Sequence, residues 1–159
     1  MKKILIALLM VVTAASAFSQ TLVYENGLYY KKGMLFSGRN VEYHDNGKIL
    51  QEQTIRNGLV DGAMTFYYEN GNKSEVREYN EGRKTGKWMT WNENGVKTGE
   101  AGYKDDIKDG DWFIWDNKGL LLYEMHYSMG KRTGTWRKWD ETGKLVMERE
   151  YGDGSESEK

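Results

Sequence analysis

Beyond residue 20, no window of eleven residues repeats its apolar positions with the 3.6-residue period of a helix. Apolar and polar positions alternate instead in short segments, each closed by glycine or by Asn-Gly. The segment "GKWMTWNENG" (86–95) reads as a strand and its turn, "VKTGEAGY" (96–103) as a second strand, and "KDDIKD" (104–109) as the loop leading to Gly110. Two turn-rich positions in every such unit predict strands near the usual length of about five to eight residues.

The unit recurs. Gly38, Gly62, Gly86, Gly110 and Gly134 stand 24 residues apart, as do Gly47, Gly71, Gly95, Gly119 and Gly143. Five residues after each glycine of the first series comes Tyr43, Tyr67, Trp91, Trp115 or Trp139; all five are aromatic in a chain that is 13% aromatic, so chance does not explain them. Seventeen residues after it comes Ile55, Tyr79, Tyr103, Tyr127 or Tyr151. Gly58, Gly82, Gly130 and Gly154 share a further position, which Asp106 interrupts. Five copies without an insertion define a repeat protein.

The loops of the second glycine series constrain their own geometry. "DNG" and "ENG" suit a two-residue type I′ hairpin, which needs positive φ at both Asn and Gly. The fourth and fifth copies carry Lys118 and Thr142 at the Asn position, and a β-branched residue at positive φ is costly. A three-residue loop, with a type I turn and only the glycine left-handed, suits all five copies. Consecutive hairpins then make an all-β antiparallel meander of about ten strands, each unit adding about 10 Å along an elongated single sheet. Closure into a barrel would remove the exposed edges and stays open as an alternative.

The domain plan follows. Residues 1–19 read as a signal peptide: Lys2 and Lys3, then the apolar run Ile4–Val12, then small residues, with cleavage after Ala17 or before Gln20. Residues 20–152 form the repeat domain, with a partial unit at 24–37 and repeats from 38, 62, 86, 110 and 134. Residues 153–159 are a polar tail. The expected location is periplasmic or secreted, in a bacterium. The absence of cysteine excludes disulfides and thiolate metal sites.

Composition excludes some functions and leaves others. The net charge is −1, and without Lys2 and Lys3 the 21 basic and 24 acidic residues sum to −3, which argues against nucleic acid as a partner. His44 and His126 lack a second histidine at metal-ligand spacing. Asp105, Asp106, Asp109 and Asp111 lack the spacing and terminal glutamate of an EF-hand loop. No nucleophile elbow or phosphate loop occurs. The chain reads as a non-enzyme without cofactor or metal. The basic pairs Lys31-Lys32, Arg83-Lys84 and Lys131-Arg132 lie near aromatics and admit a membrane-surface reading, but interspersed acids favour solubilising loop charge.

The aromatics remain. Trp88, Trp112 and Trp136 form a second series two residues after the glycine, where the first copies have Asn40 and Met64. Trp88 and Trp91 are an odd number of residues apart, so they point to opposite faces of an ideal strand unless a bulge brings them together. Trp88, Trp91, Trp112, Trp115, Trp136 and Trp139 are the candidate contacts for a protein or glycan partner, because one thin sheet cannot hide every ring. Packing of all six against their own neighbours is the alternative.

The pattern G-x-W-x-x-W-x-x-x-G, followed by a tyrosine and an N-G or E-G turn, resembles the MORN-repeat variant of the toxin–antitoxin system YwqK family antitoxins. The partial unit "GLYYKKGMLFSG" resembles that family too. The resemblance covers about residues 24 to 151. It implies an all-β scaffold that binds proteins or membranes, and it implies no catalytic residues.

Overall fold

The computed structural model describes residues 22–152. Three short strands come first: β1 (Val23–Glu25), β2 (Leu28–Lys31) and β3 (Met34–Leu35). Ten longer ones follow: β4 (Gly38–Tyr43), β5 (Ile49–Arg56), β6 (Leu59–Tyr67), β7 (Lys73–Asn80), β8 (Arg83–Trp91), β9 (Lys97–Lys104), β10 (Ile107–Trp115), β11 (Leu121–Ser128), β12 (Lys131–Trp139) and β13 (Leu145–Tyr151). β4 to β13 pair strictly in chain order, each antiparallel to the last, and the described residues contain no helix. Among the described residues β4 and β13 are unpaired edges that do not meet, so the sheet is open and the barrel alternative is excluded. Ten strands at about 4.8 Å make a ribbon roughly 45 Å long. The predicted signal peptide and polar tail lie outside the described residues.

The hairpins within each unit close as the Lys118 and Thr142 argument requires. Gly47, Gly71, Gly95, Gly119 and Gly143 all have positive φ, whereas the residue before each does not. In the third copy Gly95 N donates to Asn92 O (2.9 Å) and Asn92 N to Val96 O (2.9 Å), enclosing a three-residue loop. Asn92 Oδ1 also accepts from Asn94 N and Val96 N, both at 3.0 Å. Asp116 does the same for Lys118 N and Leu120 N (both 2.8 Å), and Asp140 for Thr142 N and Lys144 N (2.9 and 3.1 Å).

These bonds hold the Asp116 carboxyl below the usual aspartate range, the Leu120 amide contributing most; for Asp140 the Thr142 side chain contributes most, then the Lys144 amide. A depressed pKa adds stability that is full above the ordinary value of about 3.9 and is lost as pH falls through the lower folded value. Acid titration followed by amide NMR should therefore move Lys118, Leu120, Thr142 and Lys144 below about pH 4. The Val96 amide, bonded to neutral Asn92, should stay put. Equal movement of all five would refute this account.

Between units the structure corrects the sequence reading. "KDDIKD" is not a loop: only Asp105 and Asp106 turn, both at positive φ (50° and 68°), and β10 begins at Ile107. Asn57-Gly58, Glu81-Gly82 and Met129-Gly130 make the same two-residue turn with paired positive φ, the type I′ signature. In the second to fifth units the first strand therefore starts three residues before its glycine, and Gly62, Gly86, Gly110 and Gly134 sit inside strands.

There they form bulges. Glu78 pairs with Thr85 and Val76 with Met89, so two steps along β7 face four along β8. The same two-residue excess recurs around Gly62, Gly110 and Gly134. Glycine is required because the extra residues leave it at positive φ, 59° at Gly86 and 89° at Gly110.

Among the described residues the one buried hydrophobic side chain, Ile55, lies at the N-terminal end of the ribbon. β1 to β3 form a separate three-stranded sheet, and its backbone clasps the Gly58 turn through Tyr29 N to Gly58 O (2.9 Å) and Gly58 N to Phe36 O (2.8 Å). Ile55 (1% exposed) and Gln53 (2% exposed) are buried there. The Gln53 amide finds no hydrogen-bond partner among the described residues. At the opposite end β13 exposes Leu145, Val146 and Met147, with Glu148, Arg149 and Glu150 following to discourage edge pairing.

Candidate functional site

The six tryptophans divide into two sets on opposite faces. Trp88, Trp112 and Trp136 alternate with tyrosines from the neighbouring strands in one continuous stack, Tyr79–Trp88–Tyr103–Trp112–Tyr127–Trp136–Tyr151. Successive ring centroids lie 4.9–5.4 Å apart, tilted by 49–59°. Tilted contacts of this kind are favoured by the ring quadrupole. Burial raises the pKa of the Tyr79 and Tyr103 phenols.

The bulge explains why tryptophan, not tyrosine, stands beside it. Where β8 swings away at Gly86, the Glu78 carbonyl takes its hydrogen bond from Trp88 Nε1 (3.1 Å). Trp112 Nε1 donates to Gly102 O and Trp136 Nε1 to His126 O, both at 3.0 Å. An indole N–H reaches that carbonyl while its ring enters the stack. These three tryptophans are structural cross-ties as well as candidate contacts.

A cation covers every second joint of the stack. Lys84 Nζ lies 4.9 Å from the Trp88 centroid and 5.3 Å from that of Tyr103. Lys108 Nζ lies 4.3 Å from Trp112 and 4.8 Å from Tyr127. The Arg132 guanidinium lies 5.1 Å from Trp136 and 5.6 Å from Tyr151. Sequence reasoning treated two of these residues as members of basic pairs. The strand splits each pair: Lys84 and Arg132 join the rings, while Arg83 bonds Asp105 (3.2 Å). Their shared repeat position, 24 residues apart, was the available signal.

Trp91, Trp115 and Trp139 belong to the other face, in a row with Tyr43 and Tyr67. Trp115 lies 5.6 Å from Phe113 and under Lys97 Nζ (5.0 Å). Tyr67 donates its hydroxyl to Glu52 Oε1 (2.6 Å). Among the described residues the indole N–H groups of Trp91, Trp115 and Trp139 make no hydrogen bond, and none of these three rings contacts the stack. All six tryptophans are half-buried, while Tyr43 is 62% exposed.

This second face also carries carboxylates that the sequence reading did not single out. Glu52, Glu100, Glu124 and Glu148 share one repeat position. Glu52 takes Arg39, Glu100 takes Lys87 and Lys97, and Arg137 bridges Glu124 (3.1 Å) and Glu148 (2.9 Å). The Tyr67 hydroxyl, then Arg39, hold Glu52 below the usual carboxylate range. Burial pushes Glu100 up, and the two lysines outweigh it to leave it lowered.

The residues considered for metal or acid–base chemistry are engaged separately. Asp106 Oδ1 accepts from Lys84 N (2.9 Å), Asp109 Oδ1 from Met129 N (2.9 Å), and Asp111 meets His126 Nδ1 at 2.8 Å. His44 Nε2 bonds Tyr67 O (2.9 Å), far along the ribbon from His126. Among the described residues no cluster of three or more His, Asp or Glu side chains could hold a metal ion.

Comparison with known families places the repeat. The MORN repeat variant model matches residues 36–57, 60–81 and 132–153. The matched segments start 24 and then 72 residues apart, one and three periods, so all three fall in the phase of the glycine series. Each contains a glycine of the first series (Gly38, Gly62 or Gly134), the three-residue loop, and the position held by Ile55, Tyr79 or Tyr151. No curated protein matches the chain.

Proposed function

We propose that this protein is an exported, noncatalytic repeat scaffold of the cell envelope, and that it binds a macromolecular partner through the row Trp91, Trp115 and Trp139. The single observation that carries this reading is the division of the rings. One set is stacked and hydrogen-bonded into the sheet; the other recurs at the same period on the opposite face, half-buried, with its indole N–H groups unengaged among the described residues. Tryptophan and tyrosine are the usual anchors of interfaces, and an N–H left free can meet a partner's acceptor. The signal-like N-terminus supports export, and a protein ahead of a glycan is the expected partner. The narrower reading, an antitoxin of the YwqK kind, would seat a toxin on the same row.

Pull-down from cell-envelope extract tests the assignment. Trp115→Ala should lose capture of the partner while its melting temperature stays within about 4 °C of the parent, the shift that roughly 1 kcal/mol produces in a chain of this size. Undiminished capture by Trp91→Ala, Trp115→Ala and Trp139→Ala alike would remove the row from the interface.

A further inference from the structure

The two faces of the ribbon differ in charge as much as in rings. Strand alternation and the ring contacts together assign every charged side chain of β7 to β13 to a face. The stacked-ring face carries six cations, Arg77, Lys84, Lys108, Arg132, Lys138 and Arg149, against one carboxylate, Glu75. Glu75 is already bound to Arg77 (2.7 Å). The other five cations make no ion pair among the described residues; each lies over a ring, Lys138 over Tyr123 and Arg149 over Tyr151 at 5.4 and 5.0 Å. A cation on a ring keeps its full charge and remains open to an anion. On the opposite face the carboxylates balance the bases, and Glu100, Glu124 and Glu148 are bonded to Lys87, Lys97 and Arg137. A chain with a net charge of −1 has thus concentrated an excess of positive charge on one side of a thin sheet.

We propose that the stacked-ring face of β7 to β13 binds a linear acidic polysaccharide, lying across the strands along the line Lys84, Lys108, Arg132. Three features select this occupant. Those three cations hold the same repeat position, so they recur every second strand, about 10 Å. A ligand following them crosses the strands, where no backbone group is offered, whereas an extended peptide docks alongside an edge strand through its backbone. The floor between the cations is a closely packed row of Trp and Tyr, apolar ground beneath a sugar chain whose carboxylates or sulfates reach sideways to the cations. A membrane surface suits it less. Interfacial tryptophans turn their N–H toward head groups, and here Trp88, Trp112 and Trp136 spend theirs on Glu78, Gly102 and His126 carbonyls. Nucleic-acid bases need a ring face to stack on, and each inner ring of the stack already has ring neighbours on both sides and a cation above.

This surface is the reverse of the one in the proposed function, so the two readings fail independently. Titration of the full chain with polygalacturonate, monitored by tryptophan fluorescence and calorimetry, tests it. Binding should appear at low salt, weaken steeply with ionic strength, and be absent with neutral dextran. The variant Lys84→Gln/Lys108→Gln/Arg132→Gln should lose at least tenfold in affinity. Lys87→Gln/Lys97→Gln/Arg137→Gln, on the other face, should change it less than twofold. Near-ultraviolet circular dichroism of each variant verifies the ring stack, and Lys84→Arg/Lys108→Arg with Arg132 retained should bind as the parent does. No binding of polygalacturonate, equal loss in both triple variants, or tighter binding of polyglutamate, oligo(dT) or anionic phosphatidylglycerol vesicles at equal charge would each overturn the proposal.

Discussion

Trp112→Ala is expected to destabilise the protein by about 3–5 kcal/mol, the usual range for deleting a large packed aromatic. The ring contacts Tyr103 and Tyr127 on its two sides, at 5.3 and 5.4 Å, and carries Lys108. It is also the only part of Trp112 that reaches the Gly102 carbonyl, so alanine leaves that acceptor unpaired beside the bulge. A single sheet has no second layer to close the gap. In a repeat array each unit leans mainly on its neighbours, so losing the central joint uncouples β4–β9 from β11–β13. Urea denaturation should show a lower midpoint and a broader transition. Trp112→Phe retains a ring and loses the hydrogen bond, for a smaller loss in which the bond accounts for about 1 kcal/mol. Trp115→Ala, across the sheet, should cost clearly less than Trp112→Ala. Equal costs at 112 and 115 would mean that the two faces are packed alike, and the division of the rings into scaffold and contact would fall.

Gly95→Val should cost roughly 1–3 kcal/mol, and the whole cost should be backbone strain. The glycine stands at φ +78°, and a side chain there would meet nothing within 4 Å, so no clash contributes. Valine is among the residues least tolerant of that conformation. Asn94→Ala, one residue earlier, should be nearly neutral, since Asn94 is not at positive φ and it is its backbone N–H that Asn92 holds. Thermal melts of the two variants give the comparison directly. A neutral Gly95→Val would show that the loop has room to rearrange into another turn type.

Period and turn chemistry were legible without coordinates. Thr142 and Lys118, at a position where the other copies have Asn, rule out paired positive φ and leave the three-residue loop found in all five copies. The odd spacing of Trp88 and Trp91 left opposite faces or a bulge that joins them, and the fold takes the first. The bulge was not legible. Gly86 inside a strand reads the same as Gly95 in a turn, because composition marks where the backbone needs freedom and does not say whether the chain reverses there or only swells. That ambiguity turned Asp109 and Lys108 into loop residues and hid the start of β10.

By itself, then, the sequence determined an all-β meander of 24-residue hairpins, its loop type and the identity of its aromatic series. These follow from local rules: glycine conformation, alternation along a strand, and strict spacing. Tertiary structure alone decided that the sheet stays open, that one tryptophan series is tied by its indole N–H groups to the neighbouring strand, and that five cations without an ion pair among the described residues share the face of the rings. Each of these depends on the register between strands, which two extra residues at every bulge glycine displace and which no single segment encodes.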